Sequence, residues 1–440
     1  MLRKLICLLL CLALVALTAC KPTIPPAADP APATDAPAAT QAPAESPAEA
    51  TPAPEATEAP AETEDAFDAA LVSDLLMQTE NFSFALLQNL KNAYTEENTL
   101  FSPVAFNAAL AALYAAADGD TAEELRVLMG CQTEPEDTVK AMEYLLSTLD
   151  AGHFSVLNSL HLTNRLAFAQ SYLDTVAAPL SLSTETLNFG DVSTFTTLNK
   201  TAEVLSSGHV TDLLTATAAA DTLYVLSGFA LSGAFDQPFE AQTAAGSFES
   251  PTGLTDAQMM HGEFTVNYAE DEYMQLVSLP MNEGRLQLKL ILPRENGQAA
   301  FDEAMIQYAE SWLSPETAAQ QAVSLTLPAF TLSSGASYVE ILSTMGLNKA
   351  LRAQTVDFTA MLDPALVLPT PIRDLYSVAA INVSPAGLNL RDAAAESATA
   401  QPSEESVELV FDRPFLAAVT DTQTGAILAI GWVNQVGTGR

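Results

Sequence analysis

The chain has 440 residues, 49% of them hydrophobic, with 17 Lys plus Arg against 54 Asp plus Glu and a formal charge of -37. That length suits one large or two medium domains, and the apolar content is enough for a sizeable core. So acidic a chain repels nucleic-acid phosphates and anionic lipid surfaces, which argues against a nucleic-acid role.

Residues 1–20, MLRKLICLLLCLALVALTAC, begin with basic Arg3 and Lys4 and continue as a Leu-rich run. The run is short for a membrane span and ends in small residues, so a signal peptide is expected. Its end, Leu17-Thr18-Ala19-Cys20, is similar to the bacterial lipobox. That similarity implies a lipidated Cys20, an extracytoplasmic protein and membrane contact through the anchor alone, at the bacterial cell membrane. Cys7 and Cys11 leave with the signal, so Cys131 is expected to be a buried, inert thiol with no disulfide partner. Residues 21–65 are a Pro/Ala/Thr/Glu mixture without aromatics. They cannot offset the entropy of ordering and read as an extended, disordered stalk.

Residues 66–440 read as one folded α+β domain. ENFSFALLQNL and SPVAFNAALAALYAAA carry apolar residues at helical spacing, with Phe82, Leu86 and Leu87 on one face. Asp118-Gly119-Asp120-Thr121 interrupts that pattern, and Thr121 with Glu124 has the spacing of a capping box for the next helix. TLYVLSGFAL, EYMQLVSLPM, GRLQLKLILP, AVSLTLPAF and VELVF read as strands bounded by Gly, Pro and Asn. ASYVEILSTMGL reads as a helix that stops at Gly346.

Catalytic signatures are absent: no G-x-S-x-G, Walker A loop, H-E-x-x-H or G-x-G-x-x-G occurs. His153, His161, His209 and His261 are dispersed without ligand spacing, which favours structural or surface roles. No cofactor or metal site is expected, and an enzyme stays formally open because Ser, Asp and Glu residues of so long a chain could meet in space.

Several blocks together resemble the serpin family, in the family's order. Asn98-Thr99-Leu100-Phe101-Ser102-Pro103 with the helix after it, Asn188-Phe189 followed by LNKTAEVLSSGHVTDLL, Leu279-Pro280 and ILP at 291–293 are four of them. LTLPAFTLSSGASYVEILSTMGLNKAL followed by Val356-Asp357-Phe358, and FDRPFLAAVTDTQTGAILAIGWVNQV, complete the set across residues 75–436. The resemblance implies helices around a large mixed central sheet, smaller sheets and an exposed reactive-centre loop. It also implies a monomer that inhibits a target protease, of the serine or alternatively the cysteine class. After cleavage the loop's N-terminal side would enter the central sheet as a new strand.

The small-residue stretch before VELVF occupies the loop's position. Aligning Asp392 with the family's hinge Glu places Ala393, then Ala394 at the usual Gly, Ala395 at the usual Thr and Glu396 at the acidic position. Ser397, Ala398, Thr399 and Ala400 then fill the Ala run, with side chains small enough to slide between strands. Counting back from Arg413-Pro414-Phe415 sets the scissile bond at Ser403-Glu404, whereas counting forward from the hinge sets it near Glu408. On that alignment the loop is about five residues short, about 17 Å of extended chain. Pro402 would also remove a ladder hydrogen bond on insertion. The alternative is therefore a non-inhibitory scaffold or binding protein with a shortened loop.

The family's shutter, a hydrogen-bonded set beneath the sheet, maps to Ser102, Ala105, Ser227 and Ser384. Its usual Asn and His are missing at those positions. Two usual Trp positions carry Thr201 and Phe235.

Overall fold

The computed structural model describes residues 64–149, 152–240, 243–294, 313, 318–389 and 406–437. Residues 1–63, where a signal peptide with Cys20 and a stalk are expected, and residues 390–405, expected to hold most of the reactive-centre loop, lie outside the described residues.

Four helices open the domain: α1 (Glu64–Ala93), α2 (Pro103–Ala116), α3 (Gly119–Met129) and α4 (Pro135–Thr148). In α1, Phe82, Leu86 and Leu87 are buried as their spacing predicts. Almost every residue of α2 is buried, and its run of Ala lets neighbours approach its backbone closely. Ser102 caps α2, its Oγ accepting from the Ala105 N–H at 3.1 Å ahead of Pro103 in the first turn. The next cap differs from the sequence expectation. Asp118 caps α3 by accepting from Gly119 N–H at 2.7 Å, and Thr121 lies inside the helix. Thr121 and Glu124 face another segment instead. Thr121 Oγ1 accepts from Asp357 N–H, and the Glu124 carboxylate accepts from the Lys349 and Ala350 N–H groups.

Strands then form two eight-stranded sheets. The first contains β1 (Phe154–Val156), β2 (Ser159–Thr163), β3 (Ser183–Leu187), β4 (Leu223–Leu231) and β5 (Gly233–Ala234). The second begins with β6 (Ala244–Ser250), β7 (Gly253–Glu270), β8 (Met274–Met281), β9 (Leu286–Pro293) and β10 (Ala319–Pro328). The chain returns to the first sheet with β11 (Phe330–Ser337), β12 (Ile372–Ser384) and β13 (Gly387–Leu388). It ends in the second with β14 (Val407–Val410), β15 (Phe415–Asp421) and β16 (Ile427–Val433). Helices α5 (Val192–Leu205) and α6 (Val339–Met345) lie between strands, and α6 stops at Gly346 with φ 122°.

The first sheet runs β3-β2-β4-β12-β13-β5, with β1 also on β4 and β11 on β12. The second runs β14-β10-β7-β8-β9-β15-β16, with β6 on β7. One face of the first sheet packs on the main core, and the other buries Tyr224, Leu226, Tyr376 and Val378 with Leu198 and Ala202 of α5. Phe415 begins β15 in an aromatic cluster, with ring centroids 5.0 Å from Phe411 and 5.4 Å from Phe330. The C-terminal pair is thereby fixed against the core. Cys131 is a buried free thiol 3.2 Å from Thr138 Oγ1.

The seam in the central sheet

β4 and β12 run parallel and pair from Ile372↔Leu223 to Val378↔Gly228, where their ladder ends. Above that fork, as far as β13 at Val383 and Ser384 of β12, each strand has a strand partner only on its outer side. Phe229–Leu231 of β4 pair with β1, and β12 pairs with β11 up to Val383. The facing edges are not paired with each other, and a cavity of about 460 Å³ opens there, lined by Phe229, Leu231, Ala380, Asn382 and Asn389. Unpaired ladder groups on two facing strands are a template for an added strand.

The fork is built from small and polar residues. A Cβ on Gly228 would lie 3.0 Å from the Val378 carbonyl and 3.2 Å from that of Leu157, so close strand approach requires glycine. Asn158, 3% exposed, ties helix to sheet there. Its Nδ2 donates to the Ala105 carbonyl at 2.7 Å, and its Oδ1 accepts from Gly228 N–H at 3.2 Å. Sequence reasoning missed Asn158. In the sequence it is one of three polar residues, with Ser159 and His161, among the apolar residues of Val156 to Leu162, a pattern that names no partner.

Of the four shutter positions, the structure brings three together and not the fourth. Ser102 and Ala105 form the first turn of α2, and Asn158 links Ala105 to the residue after Ser227. Ser384 is elsewhere, at the β12–β13 turn, where its Oγ donates to the Gly387 carbonyl at 3.1 Å. The residue opposite Ser227 is Ser377, in register across the fork. Ser377 Oγ donates to the Leu100 carbonyl at 3.4 Å, and Tyr338 OH reaches the same carbonyl at 3.4 Å. A slip of seven residues along β12 separates the two positions, because a serine stands at both ends of this half of the strand. Thr201 lies in α5, and its hydroxyl returns to the Thr197 carbonyl. Phe235 packs edge-on against Phe239 at 5.5 Å, and its N–H donates to the Ala386 carbonyl at 3.0 Å. Both replacements are accommodated by ordinary packing.

The mouth of the seam holds a strand of the chain itself. After the turn at Pro385 and Ala386, β13 runs antiparallel between β12 and β5, pairing Leu388 with Val383 and with Gly233. Gly387 has φ 145°, and a Cβ there would stand 2.0 Å from the Gly233 carbonyl. The glycine that the backbone demands before the loop is thus Gly387, upstream of Ala394. The hinge residues Asp392–Ala400 and the candidate bond Ser403-Glu404 lie outside the described residues. On the loop's far side, Glu408 sits inside β14 opposite Ser324 in a parallel ladder, so the forward count that put the scissile bond there is excluded.

The dispersed histidines divide. His161 is buried, its Nε2 2.9 Å from Ser159 Oγ and its Nδ1 3.4 Å from the half-exposed Glu185 carboxylate. This is the order of a Ser-His-Glu triad, but Ser159 is itself buried, so no substrate reaches its hydroxyl. Burial outweighs the solvated Glu185 and pushes the imidazole down to about 4. His153 and His209 line the seam cavity, and the partly exposed His261 bonds Thr326. Among the described residues no group of three or more His, Cys, Asp or Glu is placed to hold a metal ion.

Comparison with known proteins names the class to which this sheet, its fork and the short strand at its mouth belong. Residues 77–436 match the family model described as "Serpin (serine protease inhibitor)", and the chain belongs to that family. An uncharacterised serpin-like protein of Thermococcus kodakarensis is 25% identical over 80% of this chain and 83% of its own. Human Serpin B8 is 24% identical over 82% of this chain and 99% of its own. Among solved structures, human thyroxine-binding globulin complexed with thyroxine aligns with TM-score 0.71 at 19% identity, covering 83% of this chain and 99% of that one. Serpin48 of the insect Tenebrio molitor, described as highly specific, has TM-score 0.71 at 19% identity and covers 86% and 100%. At those identities the structural likeness concerns the fold.

Proposed function

We propose that this serpin is a lipid-anchored, extracytoplasmic protease inhibitor whose loop, once cut near Ser403-Glu404, enters the β4–β12 seam as a new strand. The observation that carries the reading is the seam itself: above Gly228 and Val378 the facing edges of β4 and β12 are not paired with each other, and the chain's own β13 is seated in the mouth. Forming about ten backbone hydrogen bonds at about 0.5 to 1.5 kcal/mol net each supplies a drive on the order of 10 kcal/mol. Gly387 serves as the hinge glycine in this reading. The loop then runs from 387 toward Ser403-Glu404, which removes the shortfall that an Asp392 hinge entails. Residues 396–405, around the candidate bond, hold no Lys or Arg, so elastase-like, subtilisin-like or Glu-directed proteases are the expected targets rather than trypsin-like ones.

A non-inhibitory scaffold is the second reading, and the register of β13 favours it. Leu388 faces the core opposite Val383. Continued without a bulge, that pairing sets Asp392 opposite Ala379 and Glu396 opposite Leu375, both core-facing residues of β12. Two carboxylates would then be buried without partners, which opposes full insertion. Incubation with a panel of serine and cysteine proteases separates the readings. An inhibitor gives an SDS-stable covalent complex with at least one protease, whereas the scaffold gives cleavage with no complex.

A further inference from the structure

We propose that Asn389 is a latch that arrests strand entry at β13, its side-chain amide standing in for the next residue of the incoming strand. The inference rests on the insertion reading above and adds the residue that holds the resting state.

β13 stops after Leu388 although room remains below it. Asn389 turns out of extended geometry at φ 52°, a left-handed conformation that Asn tolerates better than most residues. Its backbone N–H still donates to the Asn382 carbonyl at 2.8 Å, as a continuing antiparallel strand would. From there the side chain takes over. Asn389 Oδ1 accepts from the Asn382 N–H at 2.8 Å, the bond that a strand carbonyl would otherwise make. Asn389 Nδ2 donates to the Leu231 carbonyl of β4 at 2.6 Å and lies 3.4 Å from the Ala380 carbonyl of β12. One carboxamide thus satisfies edge groups of both facing strands and spans the gap between them. Before β13 can lengthen, those bonds must break and residue 389 must swing into extended backbone. Only a side chain with both donor and acceptor suits the position. Asp would turn a negative charge toward two carbonyls, and Ala would leave both edges bare.

The test uses Asn389→Ala and Asn389→Gly. The glycine variant keeps the left-handed backbone at no strain and removes the carboxamide alone, so the protein folds. Each variant is compared with the unmodified protein in two measurements: hydrogen exchange at the Asn382 amide, and uptake of a synthetic peptide of residues 390–401, followed by native gel and by the rise in Tm. The latch predicts about tenfold faster exchange at Asn382 in both variants and peptide uptake about tenfold faster than in the unmodified protein. Equal uptake by all three proteins overturns the latch and leaves the insertion reading standing. No uptake by any of them overturns the insertion reading, and the latch with it.

Discussion

Gly387 tolerates no side chain: its φ of 145° suits glycine, and a methyl group would overlap the Gly233 carbonyl. Gly387→Ala is expected to unseat β13 and cost about 3 kcal/mol in urea unfolding. A change below about 0.5 kcal/mol would show that β13 docks without that constraint. Asn158 acts nearby by a different means. It satisfies the Ala105 carbonyl and the Gly228 N–H in an interior from which water is excluded. Asn158→Ala strands both groups and should cost about 2 to 4 kcal/mol, measurable in the same experiment. His161 supplies a pH dependence whose sign can be worked out. Its imidazole titrates at about 4 when folded and near the ordinary 6.5 when unfolded, so between those values the unfolded chain binds the extra proton. His161 therefore contributes stability that is intact above pH 6.5 and is lost as pH falls toward 4, about 3 kcal/mol in all. His161→Gln should flatten the difference in stability between pH 7 and pH 4.5 relative to the unmodified protein. Parallel stability profiles for the two proteins would contradict the assignment.

Elements were legible where one periodicity dominated. α2 follows from its apolar spacing and from Ser102-Pro103, and α6 ends at Gly346 as read. The strands β4, β8, β9 and β14 fall within the segments picked out by alternation and bounding Gly or Pro, and β10 begins three residues before its segment. The misreadings share a cause: local spacing cannot show which partner a polar side chain finds. Thr121 and Glu124 have capping-box spacing, yet both bind a segment more than two hundred residues away, and Asp118 takes the cap. Ser384 and Ser377 are equally plausible on one strand until pairing places Ser377 opposite Ser227. The cap at Ser102 also allows a direct check. Ser102→Ala frees the Ala105 N–H beside the fork and should cost about 1 kcal/mol, seen as a lowered Tm, while leaving the ladder below Gly228 intact.

At the scale of the molecule, the order of motifs gave the family, because Ser-Pro helix start, Leu-Pro strands and Arg-Pro-Phe anchor must recur together for the two sheets to close. The seam was not legible. An open edge is made of backbone groups, and neither Phe229–Leu231 nor Ala379–Asn382 carries a side chain that marks it. On the proposed reading the hinge lies upstream of the Asp392 alignment, for a related reason. The small run from Ala393 to Ala400 drew attention downstream, while the conformational need for glycine, set by contact with Gly233, lies at Gly387. The central claim is that the seam between β4 and β12 receives the cut loop. It is tested most directly by nicking the protein within residues 390–405 with a limiting protease and comparing its melting temperature with that of the intact chain. The account predicts a nicked protein that melts at a markedly higher temperature, since a new strand then joins the sheet. Equal melting temperatures would contradict it.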